Sequence, residues 1–249
     1  MKISIITATF NSAATVRDTL ESVSSQTYED IEHITIDGAS KDDTLEIVKQ
    51  FPHVAKVISE PDKGIYDAMN KGILAATGDV IGILNSDDVL ANQNTLETIA
   101  KVFESSKNVD IVYGNLEFFK SENQEKIFRF WKSKPYYPTF FEDGNVPPHP
   151  TVYVKADVYS KVGLFNTDFK ISADYDLMFR ILRIHRLRSV FIDEVIVKMR
   201  MGGESTSGFK SLITSYQDVK RIWEFHNVKI PPFFIFKRYL IKLTQLIFK

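Results

Sequence analysis

The chain has 249 residues and contains no cysteine. Disulfides and thiolate metal sites are therefore excluded, and any bound metal has to be held by oxygen or histidine ligands. The opening apolar run, Ile3 to Phe10, is shorter than the hydrophobic part of a signal peptide and follows a single lysine. We interpret that run as a β-strand and expect a cytoplasmic protein.

Three familiar signatures are also missing from the sequence. It contains no Walker loop, no G-x-G-x-x-G and no H-E-x-x-H. These absences argue against a P-loop nucleotide hydrolase, a dinucleotide-binding enzyme of that type and a zinc peptidase.

What is present is ample apolar material and an uneven distribution of charge. Hydrophobic residues make up 44% of the chain, which is enough for a packed core. The net charge is −1, but residues 1–125 hold 10 Lys and Arg against 21 Asp and Glu, whereas residues 126–249 hold 21 against 11. An acidic half suggests cation binding, and a basic half suggests phosphates or an anionic membrane surface. The alternative is an uneven placement of surface charge without function.

Short β-branched runs alternate with amphipathic helical stretches through the first 118 residues, the pattern of βαβ units that build a parallel sheet. The predicted strands are Ile3–Ala8, Ile31–Ile36, Val54–Ser59, Val80–Leu84 and Asp110–Phe118. The predicted helices are Ala13–Ser24 with Ser12 as its N-cap, Asp43–Phe51, Ile65–Ala76 and Thr95–Phe103. The sequence thus predicts an α/β fold with a Rossmann-type, mostly parallel sheet and flanking helices.

The regularity weakens after residue 118. Residues 119–150 predict a short hairpin followed by a mobile, proline-rich loop. The remaining predicted strands are Thr151–Val154, Ser189–Ile192 and Val195–Met201, and the remaining predicted helices are Ala156–Val162, Asp174–His185, 209–226 and 233–248. We divide the chain into one domain over residues 1–205, with halves at 1–118 and 119–205, and a C-terminal helical extension over 206–249.

Polar or acidic residues follow four successive predicted strands. They are Thr9, Phe10 and Asn11 after the first strand, Asp37 after the second, Asp62 after the third, and Asp87 with Asp88 after the fourth. The carboxyl ends of parallel strands lie at one edge of a sheet, where ligands bind. Each residue alone has an ordinary explanation in turn or capping chemistry. Their convergence favours a binding site.

The adjacent pair Asp87 and Asp88 is the most specific of these features. Neighbouring carboxylates repel each other unless a cation or an ordered donor shares the site. Mg²⁺ and Mn²⁺ bind through one or two carboxylates together with substrate phosphates. The alternative is an acidic pair at a helix N-terminus, but the next predicted helix begins only at Thr95.

Several motifs resemble, in the correct order, those of the family 2 glycosyltransferases with a GT-A fold. They are Ala8–Asn11, Asp37–Thr44, Gly64–Gly72, Thr77–Asp79, Asn85–Asp88, Pro148–Thr151 and Ser172–Leu177 with Arg180. The resemblance covers roughly residues 1–200. Several ordered motifs are far more specific than any one of them.

The resemblance implies roles for individual residues. Asp37 matches the acidic residue that contacts the nucleotide base, and Thr9 to Asn11 match the segment beside it. Asp88 matches the metal-binding aspartate, with Asp87 lining the donor site, and we add Asp62 and Asn70 to the donor-binding set. Asn85 stands where the family often has aspartate, so the match gives that position no ligand role.

The implied reaction is inverting transfer of a sugar from a nucleotide-diphosphate sugar to a hydroxyl of a glycan or lipid-linked glycan, with Mg²⁺ or Mn²⁺, in cell-surface polysaccharide or glycolipid synthesis. An alcohol needs a carboxylate to accept its proton. Asp174 lies where the family has its general base, and an N-cap role is its structural alternative. Asp176 is the competing base, although on a helix it points about 200° away from Asp174. His149 is a further candidate contact to donor or acceptor. We expect no nucleic-acid partner.

Two other functions compete with this one. A sugar nucleotidyltransferase shares the architecture, but such enzymes place a glycine-rich loop after the first strand, where this chain has Thr7 to Asn11 without glycine. A non-catalytic nucleotide-sugar-binding protein would keep the site without turnover. The presence of Asp88 and Asp174 argues against it.

The C-terminal stretch from Phe233 to Phe248 is aromatic and basic. Lys237, Arg238 and Lys242 interrupt its apolar residues, so no uncharged run reaches the roughly 20 residues that a membrane-spanning helix needs. An amphipathic helix on the inner membrane surface fits the pattern. Packing on the catalytic domain and a homodimer contact are the alternatives that the sequence leaves open.

Overall fold

The structure is a computed structural model that describes residues 1–106, 108–120, 123–202 and 209–247. Its strands are β1 (Ile3–Thr9), β2 (Ile31–Asp37), β3 (Val54–Ser59), β4 (Val80–Ile83), β5 (Val89–Leu90), β6 (Ile111–Lys120), β7 (Asn123–Trp131), β8 (Tyr153–Lys155) and β9 (Ser189–Arg200). Its helices are α1 (Val16–Ser24), α2 (Thr44–Val48), α3 (Ile65–Ala75), α4 (Thr95–Ser105), α5 (Ala156–Val162), α6 (Ala173–Met178), α7 (Phe209–Phe225) and α8 (Phe234–Ile247).

The strands form one sheet in the order β3-β2-β1-β4-β8-β6-β9-β5, with β7 paired to β6. β1 to β4 are mutually parallel, and β6 and β9 run in the same direction as these four strands. β8 lies antiparallel between β4 and β6. The predicted α/β fold with a mostly parallel sheet is therefore confirmed. Of its three antiparallel strands, β7 forms with β6 the hairpin predicted after residue 118, whereas the antiparallel position of β8 and the short strand β5 were not predicted.

Strand β1 shows how the sheet separates two hydrophobic layers. Ile3 and Ile5 pack with α4 on one face, and Ile6 and Ala8 pack with α3 on the other. Successive side chains of a strand point to opposite faces, so a fully buried strand such as β1 is covered on both sides. The four parallel strands are thus held rigidly, with their carboxyl ends at one edge.

Helix boundaries show the main local corrections. α1 begins at Val16, not Ala13, because residues 12–15 form a turn in which the Ser12 carbonyl accepts the Thr15 and Val16 amides. Ser12 is therefore not the N-cap. α2 ends at Val48, before the predicted Phe51. On α3 the buried side is Ala68, Met69, Gly72 and Ile73, and Ile65 is exposed.

The two strands predicted at 189–192 and 195–201 are one strand, β9. Its pairing with β6 shifts register at Gly114, where Tyr113 pairs with Phe191 and Asn115 pairs with Val195. The intervening residues form a bulge, because Asp193 and Glu194 are extra residues opposite one glycine. A bulge of this composition resembles a turn in sequence.

The proline-rich segment between β7 and β8 is packed against the protein, contrary to the predicted mobile loop. Phe140 and Phe141 are buried in the same core as α6 and α7. Aromatic side chains of this size contribute much of the apolar area of a core. Their burial fixes the segment, which carries the predicted candidate His149 at its end.

The C-terminal helices differ in how they pack. Trp223 of α7 is fully buried, and its Nε1 donates to the Tyr175 hydroxyl at 2.9 Å. α8 is mostly exposed and lies against β7. Within the described ranges, no helix has the length and apolarity required to span a membrane. The predicted boundary at residue 205 and the predicted helical residue Phe248 lie outside the described residues.

Candidate active site

Asp37 connects the ends of three strands. Its carboxylate is fully buried and accepts hydrogen bonds from the Thr9 hydroxyl at 3.1 Å, the Ser40 hydroxyl at 2.5 Å, the Ser40 amide at 3.0 Å and the Ser59 hydroxyl at 2.7 Å. A carboxylate has about four acceptor positions. A ligand that contacts Asp37 must therefore displace one of these donors.

The loops beyond Asp37 surround Gly38. A Cβ at Gly38 would lie 3.2 Å from the Phe10 ring and would overlap the Asp62 carboxylate, so a larger residue would have to displace Asp62. The Phe10 ring is exposed, and Asn11 has a positive φ of 48°. The sequence-predicted residues Thr9 to Asn11, Asp37 and Asp62 are thus brought together, with an aromatic ring open to a flat ligand.

The fourth strand end joins the same edge through a bond between the Ser12 and Ser86 hydroxyls at 2.8 Å. Asp88 follows it and is fully buried. The Asp88 carboxylate accepts the Asn85 amide at 3.1 Å and the backbone amide of Arg200 at 3.3 Å. Asp87 is half-buried and is the more accessible member of the pair.

Both aspartates of this pair are electrostatically strained. Burial raises the pKa of Asp88 well above the usual range, and the Asp87 charge raises it further. Burial also raises the pKa of Asp87, and the nearby Arg200 charge opposes that effect. Among the described residues, Asn85 Oδ1 is buried without a hydrogen-bond partner beside this pair.

These groups suit a hard divalent cation, which prefers oxygen ligands and stabilises ionised carboxylates. Two carboxylates and one unpartnered amide oxygen meet that requirement. In the part of the chain that the structure describes, no three His, Asp or Glu side chains group as a metal site. The protein alone would therefore leave most coordination positions to the phosphates of a ligand or to water.

Asp174 lies in the first turn of α6 and is half-buried. Its Oδ1 is 3.2 Å from the Tyr66 hydroxyl, which is also 2.7 Å from the Ile171 carbonyl. The N-cap of α6 is Ser172, so the alternative of an N-cap role for Asp174 is wrong. Burial and the Asp174 charge raise the pKa of Tyr66, which keeps this hydroxyl protonated as a donor.

The surroundings of Asp174 include two other candidates. Asn70 donates to the Phe165 carbonyl at 2.9 Å and accepts the Phe165 amide at 2.9 Å, so both polar atoms of its side chain hold this loop. The Phe165 ring stacks on Tyr66 and meets the His149 ring edge-on at 5.4 Å. Burial lowers the pKa of His149, and the Asp174 charge partly offsets this shift.

Asp176, the competing base, has a different environment. It is fully buried, and its two oxygens lie 2.8 Å from Arg180 Nε and 2.7 Å from His226 Nε2. Arg180 in turn donates to the carbonyls of residues 162–164. The carboxylate is committed to an ion pair with Arg180 and to a hydrogen bond with His226 at the end of α7, and it has no open side toward an acceptor.

Arg200 and Tyr66 are site residues that the sequence analysis did not single out. The Arg200 guanidinium lies over the Phe119 ring at 4.9 Å and bonds Asp18 at 2.6 Å. The backbone amide of the same residue donates to Asp88. The available signal was a basic residue at the end of a predicted strand. For Tyr66 it was a tyrosine inside a motif already quoted.

Comparison with known proteins identifies relatives along most of the chain. A family model described as glycosyl transferase family 2 matches residues 4–156. A "PGL/p-HBAD biosynthesis glycosyltransferase" of Mycobacterium bovis is 28% identical over 223 residues, which cover 88% of this chain and 83% of the relative. An uncharacterized glycosyltransferase of Mycobacterium tuberculosis is 32% identical over 181 residues, covering 72% and 68%.

Two solved structures are similar in fold. Staphylococcus aureus TarS in complex with UDP-GlcNAc has a TM-score of 0.67 at 17% identity, covering 89% of this chain and 65% of that one. The mannosyltransferase PcManGT of Pyrobaculum calidifontis in complex with GDP-Man and Mn²⁺ has a TM-score of 0.68 at 19% identity, covering 97% and 69%. At these identities the likeness concerns the fold alone.

Proposed function

Because this chain belongs to glycosyl transferase family 2 and has the GT-A fold, we propose that it transfers a sugar from a nucleotide-diphosphate sugar to an acceptor hydroxyl with inversion at the anomeric carbon. The observation that supports this most is the meeting of Phe10, Asp37, Asp62 and the Asp87–Asp88 pair at one edge of the sheet. The exposed Phe10 ring suits the nucleobase of a nucleotide-sugar donor, and the carboxylate pair, through a bound cation, suits its phosphates.

The donor site would be formed by the first half of the chain. Phe10 offers a flat apolar surface to the nucleobase, and Asp37, Thr9 and Asn11 provide polar groups beside it. TarS and PcManGT, which share the fold, were solved with UDP-GlcNAc and GDP-Man respectively. Nucleotide sugars of both bases are therefore the first donors to test.

The second half of the chain would supply the general base of the reaction. Asp174 takes the proton of the acceptor hydroxyl while the oxygen attacks the anomeric carbon and the bond to the diphosphate breaks, so the diphosphate leaves with the bonding electrons. Tyr66 holds Asp174 in place through Oδ1. Attack opposite the leaving group inverts the configuration, and base catalysis of this kind contributes about 10²–10⁴-fold.

Mg²⁺ or Mn²⁺ would be held by Asp88 and Asp87. When bound, such an ion neutralises charge that develops on the diphosphate leaving group. Asp87 is the more accessible ligand, and Asp88 becomes available when its contact with the Arg200 amide opens. The buried, unpartnered Asn85 Oδ1 beside the pair would be a further oxygen available to the ion.

The direct test is release of nucleoside diphosphate from a panel of UDP- and GDP-sugars, with and without Mn²⁺. We expect metal-dependent release by the native chain and its loss in Asp88→Asn. In EDTA the Asp88→Asn protein should melt slightly above the native one, because folding raises the pKa of Asp88 and its charge therefore costs stability above the acid range. Asp157→Asn, an exposed acid on α5, is the control. Release by Asp88→Asn near the native rate would contradict the metal assignment.

The two rival functions make different predictions in this assay. A nucleotidyltransferase would form a nucleotide sugar and diphosphate from a nucleoside triphosphate and a sugar 1-phosphate, and a non-catalytic protein would bind donors without releasing product. The family match favours neither, and the loop after β1 contains no glycine. Thermal shift with the same panel separates binding from turnover, since saturation at 100 times Kd adds about 2.7 kcal/mol.

We also propose that α8 lies on the inner membrane surface, where a lipid-linked acceptor would be presented. The exposed side of α8 and its preceding turn is apolar: Phe233, Ile235, Phe236, Tyr239, Leu240 and Leu243. Exposed patches of this kind mark interaction surfaces, and nearby cations favour an anionic bilayer. A homodimer contact through the same side is the competing arrangement.

Vesicle flotation tests this placement. The native chain should float with phosphatidylglycerol vesicles at low salt, and Phe236→Gln combined with Tyr239→Gln should weaken the association about tenfold or more, because each burial stabilises by roughly 1.5–3 kcal/mol. Leu74→Gln, which alters an exposed apolar side chain on α3, is the control. Equal flotation of both variants, or a concentration-dependent dimer lost in the double variant, would contradict membrane binding.

A further inference from the structure

Helix α8 turns two of its three cations, Arg238 and Lys242, toward the protein, whereas most of its large apolar side chains are exposed. The third cation, Lys237, is exposed and pairs with Asp143. Arg238, Lys242 and Gln245 follow the spacing i, i+4 and i+7, which places them on one face of a helix. Gln245 is buried, and Arg238 and Lys242 are half-buried. A helix that packs on a protein normally does the reverse. The inward cations therefore need an explanation beyond core packing.

These side chains line a cavity between α8, β7 and the turn at residues 144–146. Its volume is about 30 Å³, which is enough for a water-sized group. Such a space accepts one oxygen atom of a larger group, whose remainder projects outward past the half-buried cations. The cavity is thus shaped for the end of an extended ligand.

The charge around this cavity is strongly unbalanced. Arg129, Arg238 and Lys242 all line it, and among the described residues that do so none is acidic. Within the described ranges, none of the three forms an ion pair with a carboxylate. Burial and the two guanidinium charges lower the pKa of Lys242 to about 8, with the Asp174 charge opposing them.

Hydrogen-bond donors are left over in the same place. Arg129 Nε and Arg238 Nη1 are buried without partners among the described residues, and the Ser133 hydroxyl is likewise unpaired. Arg129 does donate through Nη2 to the Gln245 side chain, and its guanidinium lies over the Phe118 ring at 4.6 Å. Unsatisfied buried donors on cations are costly unless an acceptor is bound.

From this combination we propose that the cavity is a binding site for a phosphate-class group, with a non-bridging oxygen placed among Arg129, Arg238 and Lys242. Arginine and lysine are the residues that recognise such groups, through charge-assisted hydrogen bonds. The shared chemistry is an oxyanion at the end of a phosphomonoester, phosphodiester or diphosphate.

The location assigns this group to the acceptor and not to the donor, an assignment that rests on the proposed glycosyl transfer. Arg238 lies over the ring of Tyr175 at 4.8 Å, and Tyr175 is the residue next to Asp174. The donor-site residues Asp37 and Asp88 are not among the cavity lining. An acceptor with a phosphate in the cavity and a hydroxyl near Asp174 would be held at two points.

Binding of inorganic phosphate, diphosphate and UDP to the full chain tests the proposal, measured by calorimetry at constant ionic strength. Arg238→Gln and Lys242→Gln should each weaken phosphate or diphosphate binding about tenfold or more, since a charge-assisted hydrogen bond is lost. UDP affinity should not change. Lys220→Gln removes an exposed cation of α7 and is the matched control.

A second experiment identifies the source of the phosphate. It compares flotation of the protein with phosphatidylglycerol vesicles and with phosphatidylcholine vesicles. Selective loss of phosphatidylglycerol binding in Arg238→Gln supports a lipid-borne group, and loss of inorganic phosphate binding alone supports a glycan-borne one. Phosphate affinity unchanged in both variants overturns the site. Competition by UDP, with loss of UDP affinity in the variants, overturns its assignment to the acceptor. If phosphate binds as expected but no nucleotide sugar is ever turned over, the proposed function fails and the site stands.

Discussion

The two halves of the chain place their charges in different ways. In the first half, carboxylates follow the ends of parallel strands, of which β1, β4 and most of β2 are buried, and backbone regularity determines where they meet. In the second half, cations project from a hairpin and from a helix that lies on the outside of the protein. A parallel sheet can position a site before any ligand arrives. The basic side depends on long, adaptable side chains that a bound anion would order.

The largest expected effect tests which carboxylate of the second half, Asp174 or Asp176, acts as the general base. Asp174→Asn should reduce transfer about 10²–10⁴-fold with unchanged donor affinity, because the amide cannot accept a proton. Asp176→Asn should instead lower the free energy of unfolding by about 3–5 kcal/mol, because Arg180 and His226 lose a buried partner. Rates and denaturant unfolding are measured on both proteins. A normal rate in Asp174→Asn with an inactive but stable Asp176→Asn would reverse the assignment.

The next largest effect is expected from a substitution of Gly144, which should impair phosphate binding by the second half and leave nucleotide binding by the first half unchanged. Gly144 has a φ of 86°, and a Cβ there would lie 2.8 Å from the Arg238 amide nitrogen and 2.9 Å from its Cα. Gly144→Ala should therefore destabilise by about 1–3 kcal/mol and displace α8, with loss of phosphate binding and normal UDP affinity.

The control for this variant is Gly163→Ala. Gly163 has a similar φ of 82°, and its nearest neighbour would be Arg180 Nη1 at 3.4 Å, an ordinary contact. Backbone strain should be alike in both proteins. Phosphate binding that is equally normal or equally lost in the two would show that α8 does not depend on Gly144.

The smallest effect concerns pH and belongs to the first half. Burial and the neighbouring His53 lower the pKa of His33 to about 3. Below about pH 6.5 the unfolded chain binds a proton at His33, and the folded chain does not. The free energy of unfolding therefore decreases as the pH is lowered, by at most about 1.4 kcal/mol per pH unit. His33→Gln should flatten this dependence between pH 6 and 4, and His185→Gln, at an exposed position in the second half, should not. An unchanged slope in His33→Gln would contradict the shift.

Sequence reasoning was most successful where local pattern determines structure. β3 and α5 have the predicted bounds, because a β-branched run and a short helix between turn residues carry their own signals. The strand-end residues of β1 to β3 also met as expected. Periodicity does not encode which strands pair, so β8 between β4 and β6 and the two-residue β5 were missed.

The residues of the candidate site were easier to predict than the contacts that they make. That Asp174 and Asp176 diverge follows from helix geometry, but the hydrogen bond between Asp176 and His226 joins residues 50 positions apart. The backbone amide of Arg200 meets Asp88 across 112 positions. The inward cations of α8 looked like interruptions of an apolar helix, because sequence does not show which side of a helix faces the protein.

The insertion of β8 also constrains how the chain can fold during its synthesis. β4 is fully buried, yet one of its edges pairs with residues 153–155, which emerge from the ribosome more than 70 residues later. A sheet of β1 to β4 formed before then would leave that edge of β4 unpaired, and exposed apolar strand edges are prone to pairing with other chains. The closing strand also seats the turn that carries His149. The pairing that completes the centre of the sheet thus also fixes the position of His149.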